Sequence, residues 1–189
     1  MSRCQLNHET LEKYRYVNVE DVEWWEYIFS DFEEDMCKHG VKVDQIYFSG
    51  FWNQGDGVCF DGSVQDWGLY LLHLGYDDQI LTSLANQTWW CNWERRGHYS
   101  HANSALIDSD LHMGENPYCS TSDGLRHDAW QHKIHTYDFL AIHEEIEKNL
   151  RGHMNNLYDK LRKEYDYLTT DEAVIEWLEF NDKLTELEI

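Results

Sequence analysis

The stretch from Ile46 to Gly62, IYFSGFWNQGDGVCFDG, constrains the fold more than any other part of the sequence. Strand-like residues stand on both sides of a short polar segment that contains several glycines. Alternating residues predict strands, and glycine is the usual residue where a turn needs a positive φ or a close backbone approach. We therefore predict strands at 41–49 and 57–64, joined by a turn at 50–56.

A second pair of strands is predicted further along the chain. Residues 88–95 and 98–108 have the pattern of a hairpin that turns at residues 96–97. We expect this hairpin to join the first pair of strands in one antiparallel sheet. Side chains alternate along a strand, so three residues of its first arm would share one face: Trp89, Cys91 and Trp93.

Helical periodicity dominates the two ends of the chain. Apolar residues recur every three or four positions in 19–38, after the candidate N-cap Asn18, and again over 139–161 and 171–181. The predicted stripe of the first helix is Val22, Trp25, Phe29, Phe32 and Met36. Shorter helices are predicted at 66–74 and 77–86.

This order of elements predicts an α+β fold, in which a small antiparallel sheet packs against several helices and the C-terminal third is helical. With 189 residues, a single domain over 1–189 is expected. Residues 1–17 are predicted to be a loosely ordered lead-in, and 109–135 an irregular loop or insertion.

The net charge of the chain constrains the classes of partner that it could bind. It has 15 basic and 36 acidic residues, a formal net charge of −21, together with 28 aromatic residues made up of nine Trp, twelve Tyr and seven Phe. Such an aromatic content is typical of a folded protein rather than a disordered acidic one. Nucleic acid and anionic membranes are disfavoured partners, because binding to either depends on Lys and Arg. A basic protein, including one that itself binds nucleic acid, is the partner that this charge could attract. The alternative is that the negative surface only keeps the protein soluble.

The sequence also predicts a cytoplasmic location. No apolar run approaches the roughly 20 residues of a membrane helix, and the N-terminus lacks the apolar core of a signal peptide. The five cysteines are odd in number and scattered, which indicates a reducing compartment rather than a disulfide framework.

One candidate catalytic site combines the 49–56 turn with the segment around Tyr99. Ser49 or Ser100 would be the nucleophile, and a histidine beside an aspartate would be the general base. The alternative is structural: Gln54 and Asp56 would bond the turn backbone, and His101 would pack against an aromatic ring. The candidate residues are Ser49, Gln54, Asp56, Tyr99 and His101, with Ser100 beside them.

Metal and cofactor signals are weak. No CxxC pair exists, and the sequence contains neither a Walker loop nor a dinucleotide fingerprint, so we expect no cofactor. Two HxxH pairs, with nearby carboxylates, form the metal-site alternative: His98, His101, His132 and His135.

A partner-binding surface is predicted on the acidic helices and on the turn. Trp52 is a candidate contact because aromatic residues are enriched at interface hot spots. The candidate carboxylates are Glu23, Glu26, Glu33, Glu34 and Asp35 near the first helix, and Glu172, Glu176 and Glu179 on the last.

Four blocks carry a resemblance to a family: WWEYIFSDF at 24–32, YFSGFWNQGDGVCF at 47–60, RRGHYSHANSALID at 95–108 and KLRKEYDYLTTDEAVIEWLEFN at 160–181. They resemble a family of phage and prophage proteins of unknown biochemical role, sometimes described as antitoxins. This chain departs from the pattern at His98 and at Ala102 and Asn103, where relatives tend to have Arg and Ser-Gly. The resemblance implies a phage origin, and hence the host cytoplasm, but no reaction.

Three functions therefore stand as hypotheses. The first is an acidic phage accessory protein that binds and inhibits or regulates a host or phage protein, with mimicry of nucleic-acid charge as one means of binding. The second is an enzyme that acts on a nucleotide or small metabolite at the 49–56 turn with Tyr99 and His101. The third is an antitoxin-like protein that neutralises a basic toxin by direct contact.

Overall fold

A computed structural model shows the α+β fold that the sequence predicts. It describes residues 8–76, 90–109, 139–181 and 183, and in these ranges the chain forms five α-helices and a four-stranded sheet. The C-terminal segment is helical, as expected. The elements are α1 His8–Lys13, α2 Glu26–Lys38, β1 Val41–Phe48, β2 Val58–Val64, α3 Trp67–His73, β3 Cys91–Arg95, a 3₁₀ turn Ala102–Ser104, β4 Ala105–Ser109, α4 Phe139–Leu168 and α5 Asp171–Phe180.

The four strands follow chain order, β1-β2-β3-β4, and all three pairings are antiparallel. The predicted pairing of the two hairpins in one sheet is thus confirmed. The ladder between β1 and β2 shifts register between Val43 and Gln45, which leaves Asp44 as a bulge.

The fourth strand begins later than predicted. Its ladder with β3 starts at the pair Arg95 and Ala105, so residues 96–104 form a connection rather than a tight hairpin turn. The Arg96 N–H donates to the Ser104 carbonyl at 2.7 Å, and His101 caps the 3₁₀ turn through its ring. This local bonding replaces the strand that alternation alone suggested for 98–104.

The chain divides into two compact units, one formed by Asp31–Tyr158 and the other by Met1–Ser30 with Asp159–Ile189. The expectation of a single domain over 1–189 stays a prediction. In the first unit, the core lies on the face of the sheet that carries Phe60. The ring of Phe60 meets Phe32 of α2 and Trp93 of β3 edge to face, with centroids 5.2 and 5.6 Å apart.

In the same unit, α4 holds the start of β4 in place. The Arg151 guanidinium donates to the carbonyls of Ala102 and Ala105, and it pairs with Glu147 at 2.5 Å. At the end of the strand, the Ser109 hydroxyl and His143 Nδ1 lie 2.9 Å apart in a buried contact. These bonds position the 96–104 connection, which carries the candidate residues Tyr99 and His101.

The second unit includes a helix that the sequence did not predict. In the described part of the expected lead-in, residues 8–13 form α1, and Leu11 packs against Val174 and Leu178 of α5. The Arg15 guanidinium binds the Thr169 carbonyl at 3.0 Å and the Asp171 carboxylate at 2.5 Å. A helix of six residues is too short to show a periodicity that could be recognised in the sequence.

The predicted start of the first long helix is wrong. Asn18 does not cap it: the side chain donates to the carbonyls of Leu168 and Ala173, and Asp21 has a positive φ of 58°. The helix begins at Glu26 instead, and Val22 is half exposed. Its buried residues are Ile28, Phe32 and Met36, so the predicted stripe is right only in its second half.

Other predicted helices agree with the structure where it describes them. Asp66 caps α3 by accepting from the Leu69 N–H at 3.0 Å, and Thr170 caps α5 by accepting from the Ala173 N–H at 3.3 Å. The predicted helix 77–86, Trp89 and most of the predicted 109–135 loop lie outside the described residues. In the part of the chain that is described, no helix combines the length and the apolarity required to cross a membrane.

Candidate functional site

The 50–56 turn is organised by one carboxylate. Asp56 Oδ2 accepts hydrogen bonds from the backbone N–H groups of Trp52 and Asn53 at 2.8 and 2.6 Å. The Asp56 N–H donates to the Asn53 carbonyl at 3.1 Å, and the Ser49 N–H closes the turn on the Gly57 carbonyl at 3.3 Å. This is the backbone-bonding role that an aspartate plays in turns.

The structure brings this turn against the 96–104 connection. The Tyr99 ring lies so close over Gly55 that no Cβ would fit there, and a Cβ at Gly57 would lie 2.7 Å from the His101 Cα. The Ser100 N–H donates to the Gly55 carbonyl at 3.3 Å. The two candidate segments are therefore neighbours, as the hypothesis of a shared site requires.

Asp56 and His101 accept hydrogen bonds from backbone N–H groups of their own loops. His101 Nδ1 accepts from the Asn103 N–H at 3.1 Å, which assigns the ring proton to Nε2, and the His101 ring stacks on Tyr99 with centroids 6.0 Å apart. Ser100 is buried, whereas Ser49 and Gln54 are exposed. Within the described residues, no hydrogen bond joins Asp56 to His101. Asp56 and His101 accordingly hold the backbone of their own loops in place.

The histidines chosen from their spacing do not form a cluster in the described chain. His98 is exposed, His101 caps the 3₁₀ turn, and His132 and His135 lie outside the described residues. Across the described ranges, no three His, Cys, Asp or Glu side chains are grouped so that they could hold a metal ion.

A different histidine group was missed by the sequence reasoning. The rings of His39 and His73 stack with centroids 3.8 Å apart, and His73 Nε2 lies 3.3 Å from His153 Nε2. Burial lowers the pKa of His73, and the neighbouring His39 lowers it further. His39 lies between α2 and β1, His73 ends α3, and His153 is in α4. They are 34 and 80 positions apart, so spacing gave no signal for the group.

A cavity of about 430 Å³ adjoins this histidine group, between the end of α3 and the side of α4. The Tyr70 hydroxyl donates to Asn149 Oδ1 at 3.0 Å, and the Tyr76 hydroxyl donates to Glu145 at 2.6 Å. Burial, followed by the bond to Glu145, raises the pKa of Tyr76 to about 12. The cavity is lined by His73, Leu74, Glu145, Lys148, Asn149, Gly152, His153 and Asn156.

The predicted partner carboxylates are all exposed. In the described chain Glu34 pairs with Lys38 at 2.9 Å, and it is the one α2 carboxylate with an ion pair. The pKa of Lys38 is raised by Glu34 first, with contributions from Asp35 and Asp31. A bond from Glu23, which precedes the helix, raises the pKa of the Glu26 carboxyl. Both shifts indicate a concentration of negative charge on this helix.

The predicted contacts on the turn and on α5 are exposed like those on α2. Trp52, at the tip of the turn, is 70% exposed. On α5, Glu172, Glu176 and Glu179 face solvent, while Asp171 is held by Arg15.

A protein-family model described as Domain of unknown function (DUF8835) matches residues 24–171, which is most of the chain. The chain belongs to the DUF8835 family. The match covers the whole Asp31–Tyr158 unit and all of α2, whereas Glu172, Glu176 and Glu179 lie beyond its end. No curated protein and no solved structure matches the chain.

Proposed function

We propose that this DUF8835 member is an acidic phage accessory protein of the host cytoplasm that binds a basic host or phage protein and inhibits or regulates it. The observation that supports this proposal most is the unbalanced charge of α2. Its carboxylates Glu26, Asp31, Glu33, Glu34 and Asp35 are all exposed, and in the described chain Lys38 alone pairs with one of them.

The spacing of these charges favours mimicry of a nucleic-acid strand. Residues 26–35 cover about 14 Å of helix axis at 1.5 Å per residue. Five carboxylates in that length are about 3.4 Å apart on average along the axis, which matches the rise of about 3.4 Å per phosphate on one strand of B-DNA. Glu26 and Glu34 lie opposite the buried Ile28, Phe32 and Met36, because successive residues of a helix are about 100° apart. Asp31 and Asp35 flank them on one side and Glu33 on the other.

The second acidic helix supports the same function less strongly. Glu172, Glu176 and Glu179 lie on α5 at i, i+4 and i+7, and span about 10.5 Å. Their density is about one charge every 5 Å, which is sparser than phosphate. Since α2 and α5 are assigned mainly to different units, their contributions are best tested separately.

The first experiment identifies the partner. The tagged protein is captured from phage-infected cells at low and at physiological salt, and its companions are identified by mass spectrometry. We expect a basic protein that is retained at low salt and released as salt rises, because exposed pairing is screened over about 8 Å at physiological ionic strength. If the captured protein is a basic toxin, the result supports the antitoxin hypothesis, which relies on the same pairing of an acidic surface with a basic one.

The second experiment tests the surface with matched charge reversals. Glu33→Lys with Asp35→Lys should weaken partner affinity about tenfold, since each exposed pair contributes up to about 1 kcal/mol and reversal adds repulsion. Glu172→Lys with Glu176→Lys should have a smaller effect. Glu144→Lys with Asp159→Lys changes net charge equally at other exposed sites and serves as the control. Equal effects of the control and α2 pairs would contradict a specific acidic surface.

The enzyme hypothesis has one observation in its favour, the contact between the 50–56 turn and Tyr99. Its weakness is that Asp56 and His101 are bound to backbone N–H groups. Asp56→Asn combined with His101→Ala should leave partner capture unchanged under our proposal. If that pair abolishes function in infected cells while the charge reversals are silent, the site at the turn becomes the preferred candidate.

A further inference from the structure

The sheet has an outer face, opposite the face that carries Phe60, and the part of it on β3 and β4 is exposed. Cross-strand pairing aligns Ser63 with Asn92 and Asn92 with Asp108, while Glu94 pairs with Leu106. Because side chains alternate along strands, these residues share one face. They surround a cavity of about 480 Å³ within the Asp31–Tyr158 unit.

The charge lining this cavity is mainly negative. It includes four carboxylates, those of Asp44, Asp61, Glu94 and Asp108, and one guanidinium, that of Arg96. Asp44 pairs with Lys42 at 2.5 Å, and Asp61 accepts from the Tyr47 hydroxyl and the Arg95 N–H.

Two of these carboxylates are open to a ligand. Glu94 and Asp108 are exposed and, in the described chain, make neither an ion pair nor a hydrogen bond. They lie on neighbouring strands of the same face, so one cation placed over this face can meet both.

Apolar surface accompanies these charges. Trp90, which precedes β3, is 41% exposed, and Leu106 of β4 is 37% exposed. An indole beside two carboxylates suits a guanidinium better than an ammonium, because arginine stacks on aromatic faces and pairs with carboxylates through a planar fork. The site thus combines charge complementarity with a surface for stacking.

We propose that this outer-face cavity receives an arginine side chain from an extended basic segment of the protein partner. The guanidinium pairs with Glu94 and Asp108 and stacks on Trp90, while Arg96 at the rim disfavours a second cation directly beside it. The inference rests on the proposed function, because it names the chemistry by which a basic partner would be recognised.

The experiment uses the full chain and a blocked seven-residue peptide with arginine at alternate positions, since alternate side chains of an extended segment share one face. Binding is followed through the indole N–H signals in NMR, with Trp90→Phe to assign the signal of Trp90. We expect saturable shifts of that signal with the arginine peptide and none with the peptide in which citrulline replaces arginine. Glu94→Gln with Asp108→Asn should weaken binding at least tenfold.

A matched double variant tests whether peptide binding requires this site or only the overall negative charge of the protein. Glu33→Gln with Asp35→Asn removes the same charge from α2 and should leave the Trp90 titration unchanged. Absence of saturable binding, equal shifts with the citrulline peptide, or an equal loss in the α2 pair would overturn the inference. If the peptide does not bind but capture of the partner remains sensitive to salt, only the arginine site is rejected. If the Trp90 signal titrates as expected but capture does not depend on salt, only the proposed function is rejected.

Discussion

Gly55 is the residue on which the contact between the turn and the 96–104 connection depends. Its φ is +91°, and an added Cβ would overlap the Tyr99 ring. Gly75 has nearly the same φ, +93°, but an added Cβ would meet nothing within 4 Å. Alanine at either position strains the backbone, but only alanine at residue 55 also clashes with a side chain. Comparing the two variants therefore separates the cost of strain from the cost of the clash.

We expect Gly55→Ala to lower the free energy of unfolding more than Gly75→Ala does. Both changes incur about 1–2 kcal/mol for a left-handed non-glycine residue, and overpacking against Tyr99 adds about 1–3 kcal/mol. Denaturant unfolding measures both. Adding Tyr99→Ala should recover part of the loss in the Gly55 variant, and equal losses at the two glycines would argue against the packed contact.

The polar residues of the candidate site show what can be predicted at this scale. The glycine-rich turn and the Tyr99 segment were selected because both were expected at strand ends or turns, and they do meet. Their chemistry could not be predicted, because the Asp56 carboxylate can bond either a nearby histidine or its own turn. That choice depends on the positions of the Trp52 and Asn53 N–H groups, which only the folded turn defines.

Among the elements, α4 is the longest, with 30 residues. Its buried stripe includes Ile146, Leu150, Met154, Leu157 and Leu161, as the spacing predicts. Gly152 lies inside this continuous helix, and an added Cβ there would meet nothing within 4 Å.

Gly152→Ala should therefore stabilise the protein. Alanine in a helix interior is favoured over glycine by about 0.5–1 kcal/mol, because glycine loses more backbone entropy on folding. Chemical or thermal unfolding would measure the gain. Gly62→Ala in β2 is the contrasting variant, since its Cβ would lie 2.9 Å from the Trp93 ring, and it should destabilise. A loss at Gly152 would show that the helix is strained there.

The contact of His73 with His39 and His153 predicts a pH dependence of stability. The pKa of His73 is lowered in the folded protein, so the unfolded chain binds more protons between that pKa and the ordinary value near 6.5. The stabilisation is present above about pH 6.5 and is lost as pH falls through the folded pKa. Unfolding free energies measured from pH 7.5 to 5.5 should thus decline more steeply in the parent protein than in His73→Gln.

The exposed His98 provides the control for this comparison, because His98→Gln also removes one histidine. That variant should keep the slope of the parent protein. If both variants flatten the pH profile equally, the effect does not come from the His73 group.

Local and long-range signals differed in how well they predicted the elements. The strands flanking the first turn followed from alternation, and the ranges of α3 and α5 agree with the predicted helices 66–74 and 171–181. The start of α2 did not, because Asn18 bonds to carbonyls 150 and 155 positions away. The His73 group was missed for the same reason, since no local pattern connects residues so far apart in the sequence.

At the scale of the whole molecule, net charge acts on folding and binding in opposite directions. A charge of −21 repels itself, which disfavours the compact state, and the same charge would attract a basic partner. Added salt screens both effects. Stability and partner affinity should therefore change in opposite senses as ionic strength rises.

We expect the melting temperature to rise as salt increases from about 10 mM to about 150 mM, where the Debye length falls from about 30 to about 8 Å. Each kcal/mol gained would raise Tm by roughly 2–4 °C for a chain of this size. Calorimetry with sodium chloride measures the rise, and glucose at equal osmolality is the control for solute effects without charge. Partner capture should weaken over the same range, so its loss could not be attributed to unfolding. A melting temperature that fell with salt would mean that favourable ion pairs, such as Arg15 with Asp171, outweigh the repulsion between carboxylates. The result would then contradict the idea that the acidic surface carries an unbalanced negative charge.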